Sequence, residues 1–257
     1  MHAVAFRSVA AGSSALVAGL ASALGLTRLE AQARLQAAGD GAAIARVFAD
    51  PQAAGRCATE LRGAGLDAWV IAPEADAEQI QVRRFTLDAD ALSVLDRTGR
   101  AASLRWDDIQ LLVHGRRLRP DTQIQTVRRK KLSIPRAILT GGLLMTKTEV
   151  DRKRVTRGES EAFVVVEGSR APSLCLRQLE IDYRGLGAPL APSQAENFRR
   201  LVEALRQRAP RAVFDESLLD RTAVAHRLGP GLSPEDHMGL AIALVRADRA
   251  GAAGHVG

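Results

Sequence analysis

The sequence predicts an α+β protein: a small β-α-α-β-α-β sandwich followed by an antiparallel β-barrel capped by a C-terminal helix. Three observations carry that prediction. Up to residue 65, apolar residues recur at helical spacing between cap and glycine signals. From residue 79 to residue 181 the period changes to two. Then Ser193 opens a segment in which Phe198, Leu201, Val202 and Leu205 form one apolar stripe.

The elements follow in order. Val4 to Phe6 is a short apolar strand. Ser13 or Ser14 caps a helix with Leu16, Val17, Leu20 and Leu24 on its apolar face, and Gly25 ends it. Thr27 and Glu30 make a capping box for a second helix, which stops at Gly39. Ala43 to Phe48 is a strand. Asp50 then caps a third helix with Pro51 at its first position, and Ala54, Cys57, Ala58 and Leu61 share a face. Leu66 to Ile71 is the last strand of this first module, residues 1–73.

The second module spans residues 78–210. Its strands are Gln79 to Leu87, Ala91 to Asp96, Ser103 to Trp106, Ile109 to His114, Thr122 to Val127, Phe163 to Val166 and Leu174 to Ile181. Arg97 to Arg100 is a tight hairpin turn. Ser193 and Glu196 cap the closing helix, and Pro210 terminates it. Residues 211–257 read as a tail, partly helical over Asp236 to Ala250 and partly disordered.

The stretch LVAGLASALGLTRLEAQARLQAAG, followed by DPQAAGRCATELRGAGLDAWVI, resembles the C-terminal domain of the bacterial ribosomal stalk protein, a fold shared with the Clp protease adaptor. The likeness covers residues 3–72 and implies a small protein-interaction module. In the stalk protein the helical hairpin carries lysines; here only Arg28 and Arg34 are basic. Residues 78–210, with LRWDDIQLL at 104–112, resemble a bacterial pleckstrin-homology-like domain in architecture.

Charge is concentrated. All four lysines, Lys130, Lys131, Lys147 and Lys153, lie between residues 128 and 157. That segment holds ten basic residues against Glu149 and Asp151, an excess of eight, whereas the whole chain has a formal net charge of +7. An anionic partner therefore meets this segment first. The candidate contacts are Arg128, Arg129, Lys130, Lys131, Lys147, Arg152, Lys153 and Arg154. Between the two cationic shoulders, Ile138, Leu139, Leu143 and Leu144 are candidates for apolar docking. The segment is expected as an excursion between two barrel strands. Three readings are open for it: a membrane-surface loop, a nucleic-acid patch, or a packed excursion with solvated charges.

No catalytic signature accompanies the charge. There is no GxSxG, Walker loop or GxGxxG. His226, His237, Glu235 and Asp236 match no zinc spacing, and Ser233 to Asp236 reads as a helix start. His114 has no partner acid at defined spacing, and Asp107 with Asp108 suits a turn. Cys57 and Cys175 form no disulfide framework, which suits a reducing compartment. The apolar run Ala15 to Leu26 is expected as a packed helix rather than a leader, and no segment is long enough to span a bilayer. The expectation is a cytoplasmic, non-enzymatic adaptor with a protein partner and no metal or cofactor. The alternative is peripheral binding of anionic membrane or nucleic acid through 128–157.

Overall fold

The computed structural model describes residues 1–7, 13–39, 41–71, 79–132, 146–169, 172–187, 189–234 and 236–254, with the side chains of 119–159 and 250–254 left aside. The protein is mixed α/β, with six helices and ten strands among the described residues. Strands β1 (His2–Arg7), β2 (Ala42–Phe48) and β3 (Asp67–Ile71) make a three-stranded antiparallel sheet in the order β2-β1-β3. Helices α1 (Ser14–Leu24), α2 (Arg28–Ala38) and α3 (Pro51–Gly63) lie between these strands in the chain.

The caps read from sequence have physical partners. The Ser13 hydroxyl accepts from Leu16 N at 3.3 Å, and Gly25 closes α1 in the left-handed region at φ 65°. Thr27 and Glu30 bond reciprocally at the start of α2. The Asp50 carboxylate accepts from Gln52 N at 3.1 Å and Ala53 N at 3.0 Å, satisfying two donors that α3 leaves without partners. Asp50→Ala is expected to cost about 1 kcal/mol, measured by urea unfolding.

The second sheet corrects the expected barrel. It is an open, seven-stranded mixed sheet in the order β10-β7-β8-β9-β4-β5-β6. The strands are β4 (Ile80–Leu87), β5 (Ala91–Asp96), β6 (Ala101–Arg105), β7 (Ile109–Leu132), β8 (Thr146–Gly168), β9 (Leu174–Arg177) and β10 (Val213–Leu218). Two pairings are parallel, β10 with β7 and β4 with β9. Strands β6 and β10 stand at opposite edges of the sheet, so it does not close on itself. Helix α4 (Gln194–Arg208) covers one face, burying Phe198, Leu201, Val202 and Leu205 as the stripe requires. Asn197 pins the approach to α4, accepting from Ala191 N at 2.7 Å and donating to Ala191 O at 3.0 Å.

Strand alternation sorts the core into three layers. Val4, Phe6, Ala43 and Ala45 face α1 to α3. Leu112, Val164, Val166, Leu174 and Leu176 share the cluster that includes α4. The opposite phases, Ala3, Ala5, Ala42 and Ile44 from one sheet and Leu111, Val113, Phe163, Val165 and Cys175 from the other, meet a common middle cluster. That middle layer is built from the C-terminal helices α5 (Arg221–Leu228) and α6 (Met238–Gly254). β10, α5 and α6 therefore supply central packing material rather than a tail. Gly115 shows how tight this layer is: a Cβ there would lie 2.5 Å from the Phe163 ring and 2.8 Å from Leu218 Cβ.

The chain divides into two compact units, residues 1–117 with 161–257, and residues 118–160. The segment 109–132 is a single strand, and 146–168 is its neighbour in the sheet, so much of the expected excursion is strand.

Candidate functional site

The structure places the predicted basic residues on two adjacent strands. Arg128, Arg129, Lys130 and Lys131 lie near the end of β7, and Lys147, Arg152, Lys153 and Arg154 lie in the first part of β8. Because β7 and β8 are hydrogen-bonded neighbours, both cationic shoulders belong to one two-stranded ribbon. Ile138, Leu139, Leu143 and Leu144 lie outside the described residues.

Arg117 and Glu161 are the positions where β7 and β8 pass from the first unit to the second. Glu161 is fully buried; Arg117 donates to it through Nε at 2.9 Å, and Arg117 Nη2 lies 2.9 Å from the same oxygen. The other carboxylate oxygen accepts from Leu179 N at 3.2 Å. Glu180 extends the cluster, with Arg97 at 3.3 Å, Arg177 at 3.5 Å and Arg117 at 3.9 Å. Tyr183 donates its hydroxyl to Gln178 O at 2.8 Å; burial, then the nearby Glu161 charge, pushes its phenol well above the usual range. Gln178 in turn accepts from Ala162 N at 3.2 Å. The cluster ties β7, β8 and the turn after β9 together just where the ribbon strands begin.

Sequence reading passed over this cluster, although a signal was present. Glu161 precedes Phe163 and Val165 in the same strand phase, and Arg117 follows Leu111, Val113 and Gly115 in theirs. A charged residue in the buried phase of an alternating strand needs a partner of opposite sign.

A second ionic cluster fastens α6. Arg246 pairs with Glu167 on β8 and donates to Ser173 Oγ at 2.8 Å. Asp248 accepts from Arg7 Nε at 3.0 Å and lies 3.5 Å from Arg227 Nη2. Arg227 donates to Ala42 O at 2.7 Å; its burial lowers the guanidinium pKa, opposed by the Asp248 charge. Arg249 donates through Nε to the buried Asp215 at 2.9 Å. Three residues within about one turn of α6, Arg246, Asp248 and Arg249, thus bind it to β1, β8, β10 and α5.

Asp215 sets a pH dependence. Burial alone would raise its pKa, but hydrogen bonds from Ser217 and Arg249 outweigh that and hold it below the ordinary carboxylate value. A depressed folded-state pKa gives stability that is present above the unfolded value, about 3.9, and lost as pH falls through the folded value. Unfolding free energy is expected to drop below about pH 4, and Asp215→Asn to make that drop shallower in urea titrations at pH 7 and pH 3.5.

The remaining candidates occupy structural positions. His114 Nδ1 lies 3.2 Å from Glu216 Oε1, the acid that sequence spacing did not reveal, and its ring packs near Phe198 and Phe214. Asp107 and Asp108 sit in a short 3-10 turn, as turn formers do. His226 is in the last turn of α5, and His237 Nδ1 lies 3.2 Å from Ser233 O. Among the described residues, no group of three or more His, Cys, Asp or Glu is placed to hold a metal ion. Burial raises the pKa of both cysteine thiols. Among the described residues, no helix is long and apolar enough to cross a membrane.

No protein-family model, curated protein or solved structure matches this chain. The functional reading therefore rests on the two strands that carry the basic residues and on the charge gathered there.

Proposed function

We propose that this chain is a non-enzymatic adaptor that holds an anionic partner through its basic ribbon, while the first unit presents surfaces to protein partners. One observation carries the reading: two hydrogen-bonded neighbouring strands include both Arg128 to Lys131 and Lys147 to Arg154. Charges that are far apart in sequence are thereby gathered on one element, which raises the local potential felt by an anion. The remainder of the chain is close to electrically neutral, so the attraction is local.

Finer likenesses also belong to this reading. The β-α-α-β-α-β order of residues 2–71 supports kinship in fold with the stalk-protein C-terminal domain and Clp adaptor, hence a protein-binding role. Helix α4 packed on a run of antiparallel strands supports a likeness of the larger, open sheet to a pleckstrin-homology-like domain. A cytoplasmic setting fits the two unpaired cysteines.

The test uses heparin as a polyanionic probe. Changing Arg128, Arg129, Lys130 and Lys131 together to Gln is expected to lower the salt concentration that elutes the protein from immobilised heparin. A control changing the exposed Arg28, Arg56, Arg184 and Arg199 to Gln alters net charge equally and is expected to shift elution far less. Equal shifts for the two variants would show that net charge, not the ribbon, binds the anion.

A further inference from the structure

Resting on the anionic-partner reading, we infer that the partner of the ribbon is double-stranded DNA, held mainly through its phosphates with the ribbon in the major groove. Four features of residues 118–132 and 146–160 favour this over a lipid surface or a single strand.

The first is form. Two paired strands lie about 4.8 Å apart, and a two-stranded ribbon fits the roughly 12 Å width of the major groove of B-form DNA. The basic residues are carried on these two neighbouring strands.

The second is charge spacing. At a rise of about 3.3 Å per residue, Lys147 to Arg154 spans roughly 23 Å. Duplex DNA carries one phosphate charge per ~1.7 Å of axis, so that length presents about 14 phosphates to the excess of basic residues.

The third is composition. Thr122, Gln123, Gln125, Thr126, Thr146 and Thr148 are interleaved with the basic residues, and hydroxyl and amide groups supply phosphate and base-edge hydrogen bonds.

The fourth is the placement of apolar residues. In β8, Val150 falls on an even position and Val155 on an odd one, so this strand does not gather its apolar residues in one phase, as an element lying in a bilayer interface does; in β7, Leu118, Ile124 and Leu132 are even and Val127 odd. Residues 118–160 also contain no Phe, Tyr or Trp. Aromatic residues anchor proteins at lipid headgroups and stack the bases of single strands, so both alternatives lose their usual contacts. The deep, narrow major groove of A-form RNA does not admit a ribbon, which leaves B-form DNA.

The experiment measures binding of the full-length chain to a 5′-fluorescein 20-base-pair DNA duplex of arbitrary sequence by anisotropy, between 50 and 200 mM salt. Parallel arms use the single strand, an RNA duplex of the same sequence, and vesicles containing phosphatidylserine. The DNA duplex is expected to bind tightest, with affinity falling more than about 100-fold over that salt range, as four or more phosphate contacts require. Changing Arg128 to Lys131 to Gln is expected to weaken binding at least tenfold and to make the log–log salt slope shallower by about 3.6. A second variant, with Lys147, Arg152, Lys153 and Arg154 changed to Gln, is expected to do the same, and circular dichroism melts confirm that each variant is folded. Vesicle binding without DNA binding would overturn the DNA inference and leave the anionic reading standing. Equal or tighter binding of the single strand or RNA duplex would overturn the groove argument. Binding of no probe would remove both readings.

Discussion

A chain ending at Pro210 is expected to lose the cooperative unfolding transition of the full-length protein. The deleted residues contain β10, α5 and α6, with Leu218, Val224, Leu228, Leu240, Leu244 and Val245 each no more than 3% exposed. Full burial of such side chains contributes about 1.5–3 kcal/mol apiece, so their combined loss, about 9–18 kcal/mol, is as large as the 5–15 kcal/mol of a typical domain. The deletion also uncovers two sheet faces at once: Ala3, Ala5 and Ile44 on one, Val113, Phe163 and Val165 on the other. Thermal melts followed by near-ultraviolet circular dichroism, with a dye that reports exposed apolar surface, provide the measurement. A truncated chain that melts cooperatively within a few degrees of the full-length protein would show that α5 and α6 do not hold the sheets together. Leu244→Ala probes the same layer more gently and is expected to cost about 2–5 kcal/mol.

Glu161→Ala is expected to destabilise the protein by about 3–5 kcal/mol, the cost of breaking a buried ion pair from one side. It strands the Arg117 guanidinium in a largely buried position and leaves Leu179 N–H without its acceptor. Glu161→Gln keeps an acceptor for Leu179 N while removing the charge, so a smaller loss is expected. Replacing both partners, Arg117→Met with Glu161→Leu, is expected to recover most of the stability, because no buried charge then lacks a partner. A double-mutant cycle in urea measures the coupling. Equal losses for the single and double variants would show that the pair contributes through shape rather than charge.

Much of the fold is legible along the chain. The helix starts at Ser13, Thr27, Asp50 and Ser193 are marked by side chains that bond the backbone a few residues away, so local sequence suffices to find them. The stripe of α4 is equally local. Less legible was α6, read as a weak helix from Met238, Ile242 and Val245. Its Gly239 to Val245 run is apolar without interruption, the pattern of a helix covered on more than one side, and it is indeed buried between two sheets. The basic segment misled in another way. Its charges suited an exposed loop, and nothing in a run such as RRKK signals strand pairing, which depends on the neighbour rather than on the residues themselves.

The amino-acid order settles where helices start and stop, which phase of each strand is apolar, and that the excess positive charge is confined to residues 128–157. Each of these depends on interactions within a few residues, so they can be read without knowing the fold. Partner choice cannot be read this way. An apolar phase states that a face must be covered, not that α5 and α6 will cover two sheets together; that follows from long-range burial. The pairing of β7 with β8 and the salt bridge from Arg117 to Glu161 likewise join residues far apart in the chain. Their energies exist only once desolvation is shared in the assembled core, and there the open sheet, the central C-terminal helices and the basic ribbon are determined.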